Sequence, residues 1–343
     1  LALLACSGAA AAELSSFTVG TATASRGQKA FGVLEVPAGV DAGTRVAVAV
    51  VHGATSGPVL AIVSGAHGTE YASIVAASKL VQKLNAEELA GTVILIPLVN
   101  VASFEQKVPH VNPVDGKSMN RFYPGRADGT QTERASFLIT RQVVEKCDYL
   151  IDLHGGDLDE DLRPYSYWTK TGNAELDAAS REMVLAFGFG HIVVSTDRPK
   201  DPAASRYLDN TATTRGKPSI TAEAGRAGTV EPEDVALLVD GCLSVMQHLK
   251  MLPGTPMSGE RPVWIEAVKT VASEETGLFF PLVGRGDSVE KGVKIGYVTD
   301  VFGRTVFEAR APAAGVVLYI CSVPSMRKGD PIANIGVVAP SSP

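Results

Sequence analysis

The sequence predicts an α/β fold in which a mostly parallel or mixed sheet is flanked by helices, followed by a smaller all-β C-terminal domain. From about Val33 to Leu249, short β-branched runs alternate with longer helical patterns, which is typical of such a sheet. After Met251 a linker rich in proline and glycine follows, and long helical patterns disappear. The 343 residues, 45% of them hydrophobic, suffice for a sizeable core.

Composition and charge exclude several classes of protein. Lys and Arg number 31 against 37 Asp and Glu, for a formal net charge of -6. Proteins that bind nucleic acid normally carry a basic surplus, so no nucleic-acid partner is expected. No apolar run reaches about 18 residues, so no membrane-spanning helix is predicted. The four cysteines are widely spaced without a C-x-x-C pair, which argues against a disulfide scaffold or a zinc ribbon.

Residues 1–13, LALLACSGAAAAE, are interpreted as the remnant of a signal and not as part of the fold. An apolar stretch followed by small residues is typical of a secretory signal and predicts export to the periplasm or envelope of a bacterium. The run from Leu3 to Cys6 also resembles a lipobox, in which Cys6 would carry the only membrane anchor. Cleavage within 9–12 and a disordered terminus of a cytoplasmic protein are the alternatives.

The strands and helices of the first domain, 14–252, are predicted from hydrophobic periodicity. Its candidate strands, several of them continuously apolar as in sheets covered on both faces, are 46–51, 59–64, 93–99, 149–153, 191–195 and 219–222. Helices are predicted over 71–85, from a cap at Thr132 to Val144, near 174–187 and near 233–250.

The C-terminal domain, 260–343, contains two similar halves. They begin at Gly277 and Gly315, and each runs through β-branched residues to a Lys-Gly turn. This resembles the half-repeat of a small β-sandwich of the biotinyl/lipoyl type. No Met-Lys-Met or Asp-Lys tip is present, so we expect a lid or an interaction domain in place of a cofactor carrier.

Four side chains suited to metal binding or proton transfer follow predicted strands. His67 and Glu70 occupy the turn after 59–64, His154 comes directly after 149–153, and Glu223 lies at the end of the strand that contains 219–222. In open α/β sheets, ligands bind beyond the carboxyl ends of the strands. Two imidazoles and one carboxylate are the protein ligands of a catalytic zinc, which keeps one position open. The sequence therefore predicts one Zn²⁺ per chain.

Two neighbours of these ligands are assigned supporting roles. Glu223 is positioned to take a proton from water as a general base. Asp152 either orients His154 or faces the other side of its strand. No H-E-x-x-H, G-x-S-x-G, Walker A or G-x-G-x-x-G motif is present, so no organic cofactor is expected.

The order and spacing of the motifs resemble the succinylglutamate desuccinylase/aspartoacylase family of the zinc carboxypeptidase superfamily. The matching segments are His67-x-x-Glu70, Asn120 to Gly125, Asp152-Leu153-His154 and Glu223-x-Gly225, within about 57–249. The resemblance implies a zinc carboxypeptidase-like fold and zinc on the two histidines and Glu70. It also implies that Glu223 acts as general base and acid, and that Asn120 and Arg121 bind the substrate carboxylate. A guanidinium pairs bidentately with a carboxylate, which suits that role.

The chain departs from the family in lacking a second arginine. The family usually carries one upstream of the Asn-Arg pair to polarise the scissile carbonyl, whereas 108–113 contains none. The candidate replacements are Lys107, His110, Arg126 and Arg163.

A second departure is the acidic run after His154. It is interpreted as a solvated loop, as an acidic wall of the cleft that would repel succinyl or aspartyl groups, or as a calcium site. Its members are Asp157, Asp159, Glu160 and Asp161. The aromatic residues just beyond are expected to pack in the core or within a strand: Tyr165, Tyr167 and Trp168.

These observations predict a zinc-dependent deacylase that hydrolyses the amide bond of an N-acyl amino acid or a similar small substrate. One alternative is a metallocarboxypeptidase or cell-wall peptide amidase acting on short peptides with the same chemistry. An alternative of another class is an envelope binding protein with a vestigial metal site, against which the retention of Glu223 argues.

Overall fold

The computed structural model describes residues 15–196, 198–257 and 261–343. The segment 1–13, with Cys6, lies outside the described residues, so its export or lipidation stays a prediction. None of the helices within the described ranges has the length and apolar character needed to cross a membrane.

The described residues form eighteen strands and six α-helices, besides short 3₁₀ and π segments. The strands are β1 Ser16–Val19, β2 Ala22–Ser25, β3 Gln28–Val36, β4 Thr44–His52, β5 Thr55–Ser64, β6 Ala90–Ile96, β7 Tyr149–His154, β8 Glu160–Thr169, β9 His191–Ser195, β10 Ser219–Arg226, β11 Val263–Ala272, β12 Gly277–Pro281, β13 Ser288–Val289, β14 Lys294–Thr299, β15 Thr305–Arg310, β16 Gly315–Cys321, β17 Ser325–Met326 and β18 Pro331–Val338. The helices are α1 Tyr71–Lys83, α2 Val101–Gln106, α3 Gln131–Ile139, α4 Ala174–Phe187, α5 Leu208–Thr213 and α6 Pro232–His248.

A twelve-stranded mixed sheet organises the molecule, in the order β13-β16-β18-β11-β9-β8-β10-β7-β5-β6-β4-β3. Strands β6, β5, β7 and β10 run parallel, whereas β8 joins β10 antiparallel. The predicted mixed sheet flanked by helices is confirmed, and each of the six predicted strands is present. Strand β8 was not predicted, because its charged and aromatic residues do not form an apolar run.

Helices cover both faces of the sheet. One face packs α1, α4 and α6 around fully buried residues such as Leu80, Phe187 and Leu238. The other face packs α3 and the following π turn through Ile139 and Val143. The continuously apolar strands follow from this two-sided burial, since neither face of the central strands meets water.

The predicted start of α3 at Thr132 is wrong. The cap is Thr130, whose side chain forms a capping box with Glu133, and the backbone N–H of Thr130 donates to Glu133 Oε2 at 2.9 Å. Thr132 lies inside the helix, and its hydroxyl donates to Asp115 Oδ1 at 2.9 Å. A Thr three residues before a Glu is the stronger signal, because the two side chains satisfy the free N–H groups reciprocally.

The C-terminal strands are hydrogen-bonded to the central sheet. Strand β11 continues it by parallel pairing with β9, and β16 pairs antiparallel with β8. A separate sheet of order β15-β14-β12-β17 shares a hydrophobic cluster with these strands. Strands β12 and β16 begin at Gly277 and Gly315, where the two halves are predicted to begin. The division into two domains stays a prediction.

Candidate active site

The carboxyl ends of three neighbouring parallel strands bring four predicted site residues together. Ser64 at the end of β5 is level with Leu153 of β7, and His154 is level with Glu223 of β10. The turn after β5 carries His67 and Glu70 over this edge. Residues far apart in sequence therefore meet at one point because their strands are adjacent in the sheet.

Three of these side chains converge as a ligand set. His67 Nδ1 lies 2.5 Å from Glu70 Oε1, and His154 Nδ1 lies 2.9 Å from Glu70 Oε2. One ligand atom from each residue falls within 4.8 Å of the others. It is the only group of three or more potential ligands found in the part of the chain that the structure describes. Two imidazole nitrogens and a carboxylate fit the zinc that the sequence predicts.

The outward-facing nitrogens of both histidines are held by polar neighbours. His67 Nε2 lies 3.2 Å from Ser118 Oγ, and His154 Nε2 lies 3.3 Å from Asp152 Oδ2. Of the two positions considered for Asp152, the structure shows the one beside His154. Such contacts fix the ring orientation and leave Nδ1 turned toward Glu70.

Burial and mutual contact perturb the ionisation of the site. Burial opposes ionisation of Glu70, but the charges of His154 and His67 outweigh it and hold the pKa of that carboxyl well below its usual range. Burial raises the pKa of Glu223 to about 8, although His154 opposes this shift. A carboxyl that titrates near neutrality can both accept and return a proton.

The four residues open into a cavity of about 230 Å³. Its wall also contains Asn120, Arg121, Glu160, Tyr165, Tyr167, Arg198, Tyr207, Asp209, Tyr319 and Asn334. Tyr165 and Tyr167 lie within β8 and pack in a hydrophobic cluster, as expected, but both also line the cavity. They alternate with core-facing residues along β8, so both line the cavity while Trp168 enters the core.

Asn120 and Arg121 line the same cavity, but they differ in how far their side chains are exposed to bind a substrate. Asn120 Nδ2 lies 3.2 Å from His154 Nε2, and Asn120 Oδ1 accepts from the backbone N–H of Leu208 at 2.9 Å. The side-chain amide of Asn120 therefore connects His154, at the end of β7, to the first residue of α5. Arg121 is exposed, and its guanidinium lies 4.6 Å from the centre of the Tyr207 ring. Arg121 is thus the better placed of the two to pair with a carboxylate.

The second guanidinium in the cavity belongs to Arg198, which the sequence did not single out. It lies 3.8 Å from the centre of the Tyr207 ring. Of the candidate replacements, Lys107, Arg126 and Arg163 do not line this cavity. No local motif marks Arg198, because it reaches the site from the loop after β9.

His110 is the candidate replacement that does reach the cavity. Its ring lies 6.3 Å from that of His67, and its backbone takes the left-handed conformation at φ 61°. Burial opposes protonation, but Asp159 and Asp157 overcome it and raise the pKa of His110 to about 9. Its nitrogens face Asp157 Oδ2 at 3.2 Å and Asp159 Oδ1 at 3.1 Å. It therefore supplies positive charge, while both ring N–H groups are already engaged.

The acidic run is not a solvated loop throughout. Asp157 is fully buried and accepts from the Thr69 hydroxyl and from the backbone N–H of His110. Asp161 lies 3.3 Å from Arg285. Only Glu160 of the four reaches the cavity wall, and burial raises its pKa to about 7. The run therefore both anchors neighbouring loops and contributes one acidic group to the cleft.

Comparisons with known proteins identify the family to which the chain is similar. Residues 56–249 match the succinylglutamate desuccinylase/aspartoacylase catalytic domain. An N-alpha-acetyl-L-2,4-diaminobutyric acid deacetylase of Halomonas elongata is 31% identical over 291 residues, covering 83% of this chain and 84% of the relative. A succinylglutamate desuccinylase/aspartoacylase structure from Rhodobacter sphaeroides is 25% identical and has a TM-score of 0.80, covering 91% of this chain and 96% of that chain. The product-bound ectoine utilization protein EutE (DoeB) of Ruegeria pomeroyi is 26% identical, with a TM-score of 0.81 and coverage of 90% and 95%.

Proposed function

The chain belongs to the succinylglutamate desuccinylase/aspartoacylase family, and from this premise we propose that it is a zinc-dependent deacylase of small N-acyl amino acids. The convergence of His67, Glu70 and His154 beside Glu223 is the observation that carries the proposal. The same layout of sheet and ligands supports a zinc carboxypeptidase-like arrangement, with one Zn²⁺ per chain.

Zinc held by these three residues would act as a Lewis acid toward the scissile carbonyl. Glu223 takes a proton from the attacking water and then delivers it to the nitrogen of the leaving amine. Its buried position favours this exchange, because the pKa of about 8 lies close to neutral pH.

Arg121 binds the carboxylate of the amino-acid part of the substrate. It is exposed within the cavity wall, and Tyr207 holds its guanidinium plane by stacking. A planar guanidinium pairs with a carboxylate through two parallel hydrogen bonds. Asn120 positions this arginine through its backbone, since Arg121 Nη1 donates to the carbonyl of Asn120 at 2.7 Å.

The acyl group is small and uncharged, with acetyl as the simplest example. Glu160 lies on the cavity wall close enough to Glu70 for their negative charges to interact, so a second carboxylate on the acyl group would be repelled there. The Halomonas elongata relative is named as a deacetylase, which supports this choice.

The test combines metal analysis of the purified protein with a screen of N-acyl amino acids and a peptide ladder, with and without chelator. We expect about one zinc per chain and hydrolysis of N-acyl amino acids that stops on chelation and returns with Zn²⁺. Cleavage of peptides without cleavage of N-acyl amino acids would favour the carboxypeptidase alternative. Absence of both bound metal and hydrolysis would reject the proposal.

A further inference from the structure

One arginine of the C-terminal region, Arg285, reaches the central sheet from the turn between β12 and β13 and contacts the backbone close to Glu223. We infer that Arg285 is a positioning residue for the general base, because it holds the end of β10 so that the Glu223 carboxyl stays turned into the cavity. The inference rests on the proposed function and gives the C-terminal strands a part in the reaction.

The guanidinium of Arg285 contacts three elements of the structure. Its Nη1 donates to the carbonyl oxygen of Leu162 in β8 at 2.8 Å and lies 3.4 Å from the carbonyl oxygen of Gly225 in β10. Nη1 also lies 3.3 Å from Asp234 Oδ2 in the first turn of α6, and Nε lies 3.3 Å from Asp161 Oδ1 in β8. The side chain thereby joins β8, the end of β10 and the start of α6.

These contacts lie at an irregularity in the pairing of β8 with β10. Glu223 is level with Tyr165, but Gly225 is level with Leu162, so β8 has one more residue than β10 between the two pairs. Such a bulge interrupts the ladder and redirects neighbouring side chains. Arg285 bonds the carbonyl of Leu162 and lies beside that of Gly225, its partner in the pair that follows the bulge. It therefore holds the register that begins directly after Glu223.

The backbone of Gly225 is also packed against the loop that follows His154. A Cβ atom at Gly225 would lie only 2.6 Å from the backbone nitrogen of Gly156, so the two segments are in close contact. In the same loop, the backbone N–H of Gly155 donates to Glu70 Oε2 at 3.0 Å. Arg285 thus acts where β10 meets the loop beside the ligand set.

Arg285 also balances two acidic side chains. Burial raises the pKa of Asp161, and Asp234 adds to this shift, whereas the charges of Arg285 and Arg226 oppose it. Without Arg285, the carboxylates of Asp161 and Asp234 would repel each other where β8 meets α6. Arg226, 3.7 Å from Asp161, would remain on one side of this pair.

The C-terminal strands hold the turn that carries Arg285. The backbone N–H of Gly286 donates to the carbonyl oxygen of Val317 in β16 at 2.7 Å. Val317 packs in one hydrophobic cluster with Leu162 of β8. The position of Arg285 is therefore set by the packing of the C-terminal strands on the central sheet.

The experiment compares three variants on the N-acetyl amino acid that the wild-type protein hydrolyses fastest. We expect Arg285→Ala to lower kcat about 10- to 100-fold, because a small displacement of the base slows proton transfer, with KM little changed and zinc retained. Arg310→Ala is the matched control. Arg310 binds the carbonyl of Gly292 at 3.0 Å and Glu308 at 2.6 Å, both in the C-terminal region, so its kcat should equal that of the wild type.

The third variant, Arg285→Lys, separates charge from geometry. Its ammonium keeps a cation beside Asp161 and Asp234, but one nitrogen cannot make the Nε and Nη1 contacts together. We expect it to regain most of the melting temperature lost in Arg285→Ala, while kcat stays about 3- to 10-fold below the wild type. A purely structural role predicts wild-type kcat per folded, zinc-loaded molecule.

That result in either Arg285 variant overturns the inference, so Arg285→Lys decides the question if Arg285→Ala fails to fold. Loss of zinc in both variants also overturns it, since the effect would then lie in the ligand set and not in the base.

Hydrogen exchange separates this inference from the proposed function, because it needs no turnover. Peptides covering 219–226 should exchange faster in both Arg285 variants than in the wild type, and Arg310→Ala should leave them unchanged. If the wild-type protein hydrolyses no N-acyl amino acid, the proposed function fails, whereas faster exchange still supports the hold of Arg285 on the end of β10. Unchanged exchange in both Arg285 variants rejects the inference, whatever the activity.

Discussion

The two ends of the cavity are built in different ways. At the metal end, His67, Glu70, His154 and Glu223 come from the carboxyl edges of three adjacent parallel strands. At the amine end, the wall is assembled from segments that share no strand edge. These are the 3₁₀ turn with Arg121, the loop with Arg198 and the segment 207–209.

The comparison teaches that reaction chemistry and selectivity are separable in this molecule. The metal end is held by direct contacts among its own buried and half-buried side chains, so a change there should remove the reaction. The amine end is held by stacking on Tyr207 and by the link from Asn120 to Leu208. A change there should alter which substrate is preferred, and each prediction below tests one side of this division.

The largest effect is expected from loss of a metal ligand. His154→Ala leaves two protein ligands, which rarely hold zinc tightly, so zinc content should fall from about one per chain to nearly none. Activity should disappear with the metal. Metal analysis with parallel assays checks this, and full zinc occupancy in both His154→Ala and His67→Ala would refute the ligand assignment.

Glu223→Gln should lower turnover without removing zinc, which would distinguish the role of the general base from that of the metal ligands. The amide keeps the shape of the side chain but cannot accept the proton, so turnover should fall about 10²–10⁴-fold with zinc retained. Single-turnover assays and metal analysis of the same preparation test this. Activity within a few-fold of the wild type would eliminate the proposed role and weaken the division between the two ends.

Asp152→Asn should act on zinc affinity through His154. Its carboxylate lies 3.3 Å from His154 Nε2, and loss of such an orienting group typically weakens metal binding about 10- to 100-fold. Competition with a chelator of known affinity measures this effect. Unchanged zinc affinity would show that Asn120, 3.2 Å from the same nitrogen, suffices to orient the ring.

Changing the acyl group of the substrate should have the smallest effect on kcat/KM. We expect kcat/KM for an N-acetyl amino acid to exceed that for its N-succinyl analogue by about tenfold at low salt, because Glu160 faces the cavity. The preference should narrow at high salt and in Glu160→Gln, since both reduce the repulsion. Preference for the succinyl compound at low salt would mean that a cation such as Arg198 dominates this region.

Much of the fold and of the metal end could be predicted. The apolar runs at 59–64, 149–153 and 219–222 are strands, because burial on both faces demands continuous apolar sequence. Parallel neighbours share one carboxyl edge, so polar residues that follow such strands converge. The helix over 174–187 agrees with its predicted range, and its Asn173 cap accepts from the N–H groups of Glu175 and Leu176.

Some cavity-lining residues were not predicted, because their positions depend on strand pairing and not on a local sequence pattern. Tyr165 and Tyr167 were expected to pack in the core or within a strand, but β8 has no apolar run, so neither its bounds nor its cavity-facing side was evident. Tyr319 reaches the cavity because β16 pairs with β8, placing it level with Leu162. Such pairing joins segments more than 150 positions apart, and no local pattern in either segment specifies the partner.

The sequence by itself determined the metal end, because strand periodicity and the positions of His67, Glu70, His154 and Glu223 place them at one sheet edge. Only the tertiary structure decided the charge that each acidic side chain presents to the cavity. Asp157 is buried and accepts hydrogen bonds from Thr69 and from the backbone of His110, whereas Glu160 lines the cavity wall. The physical reason is that burial and pairing depend on which distant segments pack together, whereas strand periodicity depends only on neighbouring residues.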